Sequence, residues 1–190
     1  MPLRSATLDD VQALVELNDL ASEGLSLHGW QQLAEPGETG WEVGLRRTRQ
    51  DAGVSSWRNS TVVEEMGAVV ACLVGYPLRD VFEPIDLTHT PPMFRPLAEL
   101  ERLAPGTWHI NVLAAYPEWR GRGLGTLLIA HARALAASAG CHGTSLIVAD
   151  TNEGARRLYE RTGHAERARR AAVKGDWDGV VREWVLLVGR

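Results

Sequence analysis

Apolar and polar residues switch between two periods along this chain, and the switches mark its elements. Residues 3–6 form a short strand-like run, after which Leu8, Val11, Leu14 and Val15 recur at helical spacing. Thr7 is placed to cap that helix, with Asp10 three residues on as its acidic partner. Residues 22–40 are weakly patterned, hold Pro36 and four glycines, and read as irregular; a second helix is expected over 41–49. Two β-rich runs follow at 60–65 and 68–76, with Met66-Gly67 as the turn between them. Pro77 should end the second run, because proline has no N–H for the ladder. After a polar, proline-bearing loop at 79–92, Phe94, Leu97, Leu100 and Leu103 predict a short helix.

The second half is more regular. Residues 107–115 read as a strand, and Leu124, Leu127, Leu128, His131 and Leu135 as one face of a helix. A strand at 145–149 and a helix at 152–162 follow, with Gly163 at the position just past the helix end. Strands at 165–173 and 180–188, joined by a turn at 175–179, close the chain. The count is seven strands interleaved with helices, the pattern of an α/β protein of the α+β type.

Composition adds bounds. A length of 190 residues suits one domain, 1–190, with a proper core. No apolar run approaches membrane-spanning length, and residues 1–5 lack the apolar centre of a secretory signal, so no membrane association and a cytoplasmic protein are expected. Cys72 and Cys141 lie far apart and read as reduced thiols, Cys72 as packing within a strand; they form no metal spacing with each other or with the histidines, so no metal is expected. The net charge is −4, and the short arginine groups at 46–47 and 167–170 read as solvated faces rather than a nucleic-acid track. Lys174 is the only lysine, and the bias to arginine and alanine fits a GC-rich bacterial genome.

The chemistry concentrates at Tyr116-Pro117-Glu118-Trp119-Arg120-Gly121-Arg122-Gly123-Leu124-Gly125-Thr126, between a strand and a helix. A glycine-dense turn feeding a helix leaves several N–H groups unpaired and aimed at one point, where the positive end of the helix dipole also points. Such a turn suits a phosphate or pyrophosphate. The dinucleotide pattern G-x-G-x-x-G/A fails, because its last position falls on Thr126 or Leu128. The NTPase loop fails for want of a lysine after the last glycine. Arg120-x-x-Gly123-x-Gly125 does match [QR]-x-x-G-x-[GA], and here the sequence resembles the GNAT superfamily of N-acetyltransferases, whose pyrophosphate turn for acetyl-CoA reads this way. A second segment resembles that family's next motif, N-x-x-A-x-x-x-Y-x-x-x-G-F, with Asn152, Ala155, Tyr159 and Gly163 in place and His164 where an aromatic residue is commoner. The resemblance is specific over 107–165 and looser elsewhere; the stretch at 79–106 is an insertion relative to the tighter family pattern.

The resemblance implies the GNAT fold: a central mixed, mostly antiparallel twisted sheet of seven strands, helices on both faces, and strands 4 and 5 splayed around the cofactor. It implies acetyl-CoA as cosubstrate, a primary amine of a small molecule, amino acid, peptide or protein as acceptor, direct attack in a ternary complex, and a monomer or homodimer. Arg120, Gly121, Arg122, Gly123, Leu124, Gly125 and Thr126 would hold the pyrophosphate, and the backbone of Leu113, Ala114 and Ala115, at a bulge in the fourth strand, would polarise the acetyl carbonyl and pair with the pantetheine. Asn152, with Ala155, would bind cofactor or else cap the helix, for which Asp150 competes.

Two proton transfers need owners. An alkylammonium with pKa of about 10.4 costs roughly 4.6 kcal/mol to deprotonate at pH 7, and the leaving thiolate needs an acid. Tyr159 stands where the family tyrosine lies beside the thioester sulfur; the other reading is a buried core tyrosine. His109 shares a strand face with Asn111 and lies eleven residues before Arg120, where the histone-modifying branch of the family carries its glutamate base. At its ordinary pKa a histidine would accept a proton at neutral pH; the alternatives are a half-buried strand histidine, with Glu64 and Glu65 as substitute bases. His131 reads as a packed core histidine; Trp30, Trp41 and Trp57 flank the acceptor side, where each reads as core, with a substrate clamp as the alternative. Asp80, Glu83 and Asp86 either meet a cationic amine or are solvated. The competing function is a non-catalytic acyl-CoA-binding sensor or interaction module on the same fold, which would need the turn but not Tyr159.

Overall fold

A computed structural model describes residues 1–81, 87 and 90–190. Seven strands form an open sheet in the order β1-β2-β3-β4-β5-β7-β6. The chain clusters into two compact units, Met1–Gly75 with Asn111–Leu128, and Tyr76–Ile110 with Ile129–Arg190.

In the first unit, β1 (Leu3–Ser5) pairs antiparallel with β2 (Ser60–Glu65), which returns through Met66-Gly67 into β3 (Ala68–Pro77). Pro77 ends that strand as its missing N–H requires. Thr7 donates its N–H to Asp10 Oδ2 at 2.7 Å and starts a 3-10 turn that runs into α1 (Val11–Ala21). Arg4 ties these pieces together, bridging Asp10 and Glu64 at 2.7 Å each. Inside the weakly patterned stretch lies a helix that the periodicity does not reveal, α2 (Leu25–Gln31); at seven residues with Gly29 in its middle it is too short to carry a repeat. It packs on α3 (Gly40–Thr48). A Cβ at Gly44 would sit 2.7 Å from the Trp30 ring, so glycine is what lets these helices close. Trp30 and Val43 join Val11 and Val15 in one buried cluster, and Ala6, Leu14, Leu17, Val62, Cys72, Val112 and Ala114 belong to the other.

The second unit holds α4 (Arg95–Glu101), the start of β4 (Trp108–Ala115), most of α5 (Leu124–Ser138), β5 (Thr144–Ala149), α6 (Glu153–Arg161), β6 (His164–Ala171) and β7 (Glu183–Gly189). β4 runs parallel to β5 over Trp108↔Thr144, His109↔Ser145 and Ile110↔Leu146, whereas β5 pairs with β7 along its whole length to Ala149↔Trp184. The β4–β5 ladder thus stops five residues before β4 ends. α4 lies against β5, β6 and β7, held by the Glu99–Arg170 ion pair at 2.8 Å. β6 and β7 are shorter than expected at their facing ends, and Val180 is exposed in the connection.

The inward face of α5 also differs from expectation. Leu124, Leu128, Ile129, Ala132 and Ala136 are buried, while Leu127 is exposed and His131 only half-buried. The segment is apolar nearly all round, so spacing alone does not set the rotation of the helix.

Candidate functional site

Tyr116 closes β4 by donating its N–H to the Val70 carbonyl, and Pro117–Trp119 turn once as a 3-10 helix. Arg120 is extended, and Gly121 and Gly123 take φ of 74° and 82°, the left-handed region that costs a residue with a Cβ about 1–2 kcal/mol. The first bond of α5 is Leu127 N–H to the Gly123 carbonyl at 3.1 Å. Among the described residues, the amides from Gly121 to Thr126 meet no acceptor of the protein. A Cβ at Gly121 or Gly123 would meet nothing within 4 Å, so these amides border open space. The Arg120 side chain braces the turn through the Ala115 carbonyl at 3.2 Å, and Arg122 lies 4.4 Å over the Trp119 ring while reaching the Glu118 carbonyl. Unpaired amides, the positive end of a 15-residue helix and two exposed arginines form a donor set that fits a pyrophosphate. Leu124 is buried and anchors the helix end from within, Gly125 is half-buried and Thr126 is exposed. On β4, Leu113 and Ala115 are half-buried, and Ala114 points into the core with its N–H on the Cys72 sulfur. Burial pushes that thiol up to about 12, which suits packing rather than reaction.

The β5–α6 turn resolves the competition for the cap. Asn152 Oδ1 accepts the Ala155 N–H at 3.1 Å and caps α6, while Asp150 turns to β7, accepting from the Arg182 and Glu183 amides and from Arg182 Nε. Of the two candidates for the cap, Asn152 is therefore the one that fills it: Arg182 and Glu183, where β7 begins, supply three donors that hold the Asp150 carboxylate elsewhere. α6 is polar on one side, with Glu153, Arg157, Glu160 and Arg161 exposed, and buries Tyr159 on the other; Ala155, Leu158 and Thr162 are half-buried. Tyr159 meets His164 edge-on, with ring centroids 5.9 Å apart, and burial raises its hydroxyl to about 12. His164, bonded to Thr144 and Thr162 by its two ring nitrogens, fills the place of the family aromatic.

His109 is deeper than expected. Its side chain is 3% exposed rather than half-buried, and desolvation lowers its pKa to about 4. Nδ1 lies 3.1 Å from Ser145 Oγ, Nε2 lies 3.7 Å from Glu101 Oε1, and the ring packs beside Tyr76 at 5.6 Å. Tyr76 donates its hydroxyl to the same Glu101 oxygen at 3.3 Å. Burial raises the Glu101 carboxyl, against the lowering effect of that hydrogen bond. Sequence reasoning missed Glu101, Tyr76 and Ser145, which carry no motif; period-two alternation on β4 and its parallel register with β5 set Ser145 beside His109, but α4 arrives only through packing. Glu64 is committed to Arg4, and Glu65 is half-buried at the hairpin turn. Asp80 lies in the loop before α4; Glu83 and Asp86 lie outside the described residues. Trp30 is core as expected, with Trp41 and Trp57 packed partly buried against it.

The model of the acetyltransferase (GNAT) family matches residues 26–164. No curated protein matches the chain. Among solved structures, it is similar to an N-acetyltransferase from Staphylococcus aureus Mu50, with 16% identity, TM-score 0.70, and 99% of this chain and 100% of that one covered. It is also similar to a ribosomal-protein-alanine N-acetyltransferase from Brucella melitensis, with 21% identity, TM-score 0.61, and 99% and 98% covered. A GNAT family acetyltransferase from Elizabethkingia anophelis, solved with acetyl-CoA bound, matches at 13% identity and TM-score 0.50 over 69% of this chain and 74% of that one. At these identities the structural likeness concerns the fold.

Proposed function

Because this chain belongs to the GNAT acetyltransferase family, we propose that it transfers an acetyl group from acetyl-CoA to a primary amine by direct attack in a ternary complex. The observation that carries the reading is the row of amides from Gly121 to Thr126, without acceptors among the described residues and bordering open space at the head of α5. Bound acetyl-CoA would supply an activated thioester. Arg120, Gly121, Arg122, Gly123, Leu124, Gly125 and Thr126 would hold its pyrophosphate, the turn through main-chain amides and the arginines through charge. The backbone of Leu113 and Ala115 on β4, beyond the end of the β4–β5 ladder, would pair with its pantetheine arm. Asn152 caps α6 and keeps its two amide hydrogens as donors, so capping and cofactor contact are compatible roles.

Tyr159 would protonate the departing thiolate. A hydroxyl raised to about 12 stays protonated at every working pH, so the proton is in place before transfer. His109 belongs to the group that relieves the acceptor of its proton, acting from behind the residues that border solvent. The acceptor is a small amine, an amino acid, or a peptide or protein amine, and the protein would work as a monomer or homodimer in the cytoplasm.

The test is acetyl-CoA consumption against a panel of amines, amino acids, polyamines and peptides, with coenzyme A binding measured in parallel by calorimetry. Turnover with at least one amine supports the proposal. Binding without turnover would turn the assignment toward an acyl-CoA sensor, and absence of binding would remove it.

A further inference from the structure

We propose that Glu101, at the C-terminal end of α4, is the side chain that takes the proton from the acceptor ammonium, and that His109 behind it is a positioning residue. The inference rests on the N-acetyltransferase reading and deepens it. Five polar side chains meet here: Tyr76, Glu101, Thr107, His109 and Ser145. Thr107, His109 and Ser145 are buried, whereas the Glu101 side chain is 29% exposed. An ammonium arriving from water can touch the carboxylate and cannot touch the imidazole.

The hydroxyls fix how His109 is protonated. Thr107 Oγ1 lies 2.7 Å from the Ala104 carbonyl and 2.8 Å from Ser145 Oγ. One hydroxyl proton serves one of them, and a carbonyl has no proton to offer, so Thr107 donates to Ala104 and accepts from Ser145. Ser145 Oγ then accepts from His109 Nδ1–H, which leaves Nε2 as a bare lone pair facing Glu101 Oε1. A lone pair opposite a carboxylate oxygen favours a proton between them and raises the affinity of Glu101 for one. Tyr76 and His109 both address Oε1; among the described residues Oε2 has no protein partner. On the same helix Glu99 pairs with Arg170 at 2.8 Å, and among the described residues no lysine or arginine lowers the Glu101 carboxyl. A carboxylate with no cationic partner keeps its full attraction for an incoming ammonium.

Glu101 takes one proton from the ammonium and returns it to water. The neutral amine forms a bond to the acyl carbon as the carbon–sulfur bond breaks, the thiolate takes the Tyr159 proton, and the second amine proton passes through water to the Tyr159 phenolate, which restores the acid. One proton is released per turnover.

The test uses the full chain with Glu101→Gln, Glu101→Asp and His109→Asn. The acceptors are a diamine, an amino acid, a peptide with a free N-terminus, an arylalkylamine, and methoxyamine, which is already neutral at pH 7. For the best alkylamine, Glu101→Gln is expected to lower kcat/KM at pH 7 by about a hundredfold or more. The loss should shrink as pH rises, nearly vanish with methoxyamine, and be partly restored by Glu101→Asp, with coenzyme A binding unchanged. His109→Asn should move the acid limb of the rate profile to lower pH, because it removes the lone pair opposite Glu101; among the described residues Tyr76 is the other titratable group set against that carboxylate. A Glu101→Gln enzyme with wild-type rates on the alkylamine, or one equally impaired with methoxyamine, would overturn the proposal while leaving the acetyltransferase reading intact. If the wild-type chain binds coenzyme A and acetylates none of the amines, both readings fall together.

Discussion

The Tyr116 hydroxyl donates to Glu16 Oε2 at 2.5 Å, joining the residue just past β4 to the middle of α1, one hundred positions away in sequence. Burial first, and the Glu16 carboxylate second, push this hydroxyl above its usual pKa, so it remains a donor throughout the physiological range. The bond fixes the entry to the glycine turn against the helical layer. Tyr116→Phe is expected to cost about 1–2 kcal/mol, since it strands a charged acceptor. Urea unfolding should show a lower midpoint with an unchanged slope; an unmoved midpoint would mean the bond adds nothing.

At Gly123 the cost of a side chain divides between folding and ligand. A Cβ meets no protein atom within 4 Å, so Gly123→Ala is strained only through its φ of 82° and should lose about 1–2 kcal/mol of stability. The methyl enters the space bordered by the unpaired amides, so coenzyme A affinity should fall at least tenfold while the variant stays folded. Retained affinity by calorimetry would place the ligand elsewhere.

Tyr159→Phe separates chemistry from binding. The ring packs beside His164 and the change removes only the hydroxyl, so the fold should hold. If the hydroxyl is the acid, kcat should drop by about a hundredfold or more with coenzyme A affinity nearly unchanged. Equal turnover would return Tyr159 to the core.

His109 makes stability fall on acidification. Its pKa is about 4 in the folded chain and near 6.5 unfolded, so the folded state favours the neutral ring. The contribution is fully present above about pH 6.5 and is lost as pH falls toward 4, amounting to about 3 kcal/mol. His164, also lowered by burial, adds in the same direction. Melting temperature should fall from pH 7 to 5 more steeply in the wild type than in His109→Gln. Parallel curves would remove His109 as the origin.

The two motif segments are legible in the sequence because their geometry is local. A strand, a glycine turn and a helix follow each other directly at 107–138, and Asn152, Tyr159 and Gly163 lie within one helix and its caps. Pro77, the Met66-Gly67 turn and the Thr7–Asp10 pair are legible for the same reason. α2 is not, since seven residues with a central glycine carry no periodicity, and neither is the rotation of α5, whose sequence is apolar on nearly every side.

The order of elements, the family and the glycine turn with its row of unpaired amides can thus be read along the chain, because each follows from neighbours a few residues apart. The surroundings of the titratable groups come from packing. As a sequence position, His109 is an ordinary strand histidine; the fold seals it from water and brings the half-buried Glu101 carboxylate to 3.7 Å from its ring. Asp150 has the residue type for a helix cap, yet Arg182 and Glu183 take its carboxylate and leave the cap to Asn152. Desolvation and partner choice depend on elements brought together from distant parts of the chain, and no local pattern encodes them.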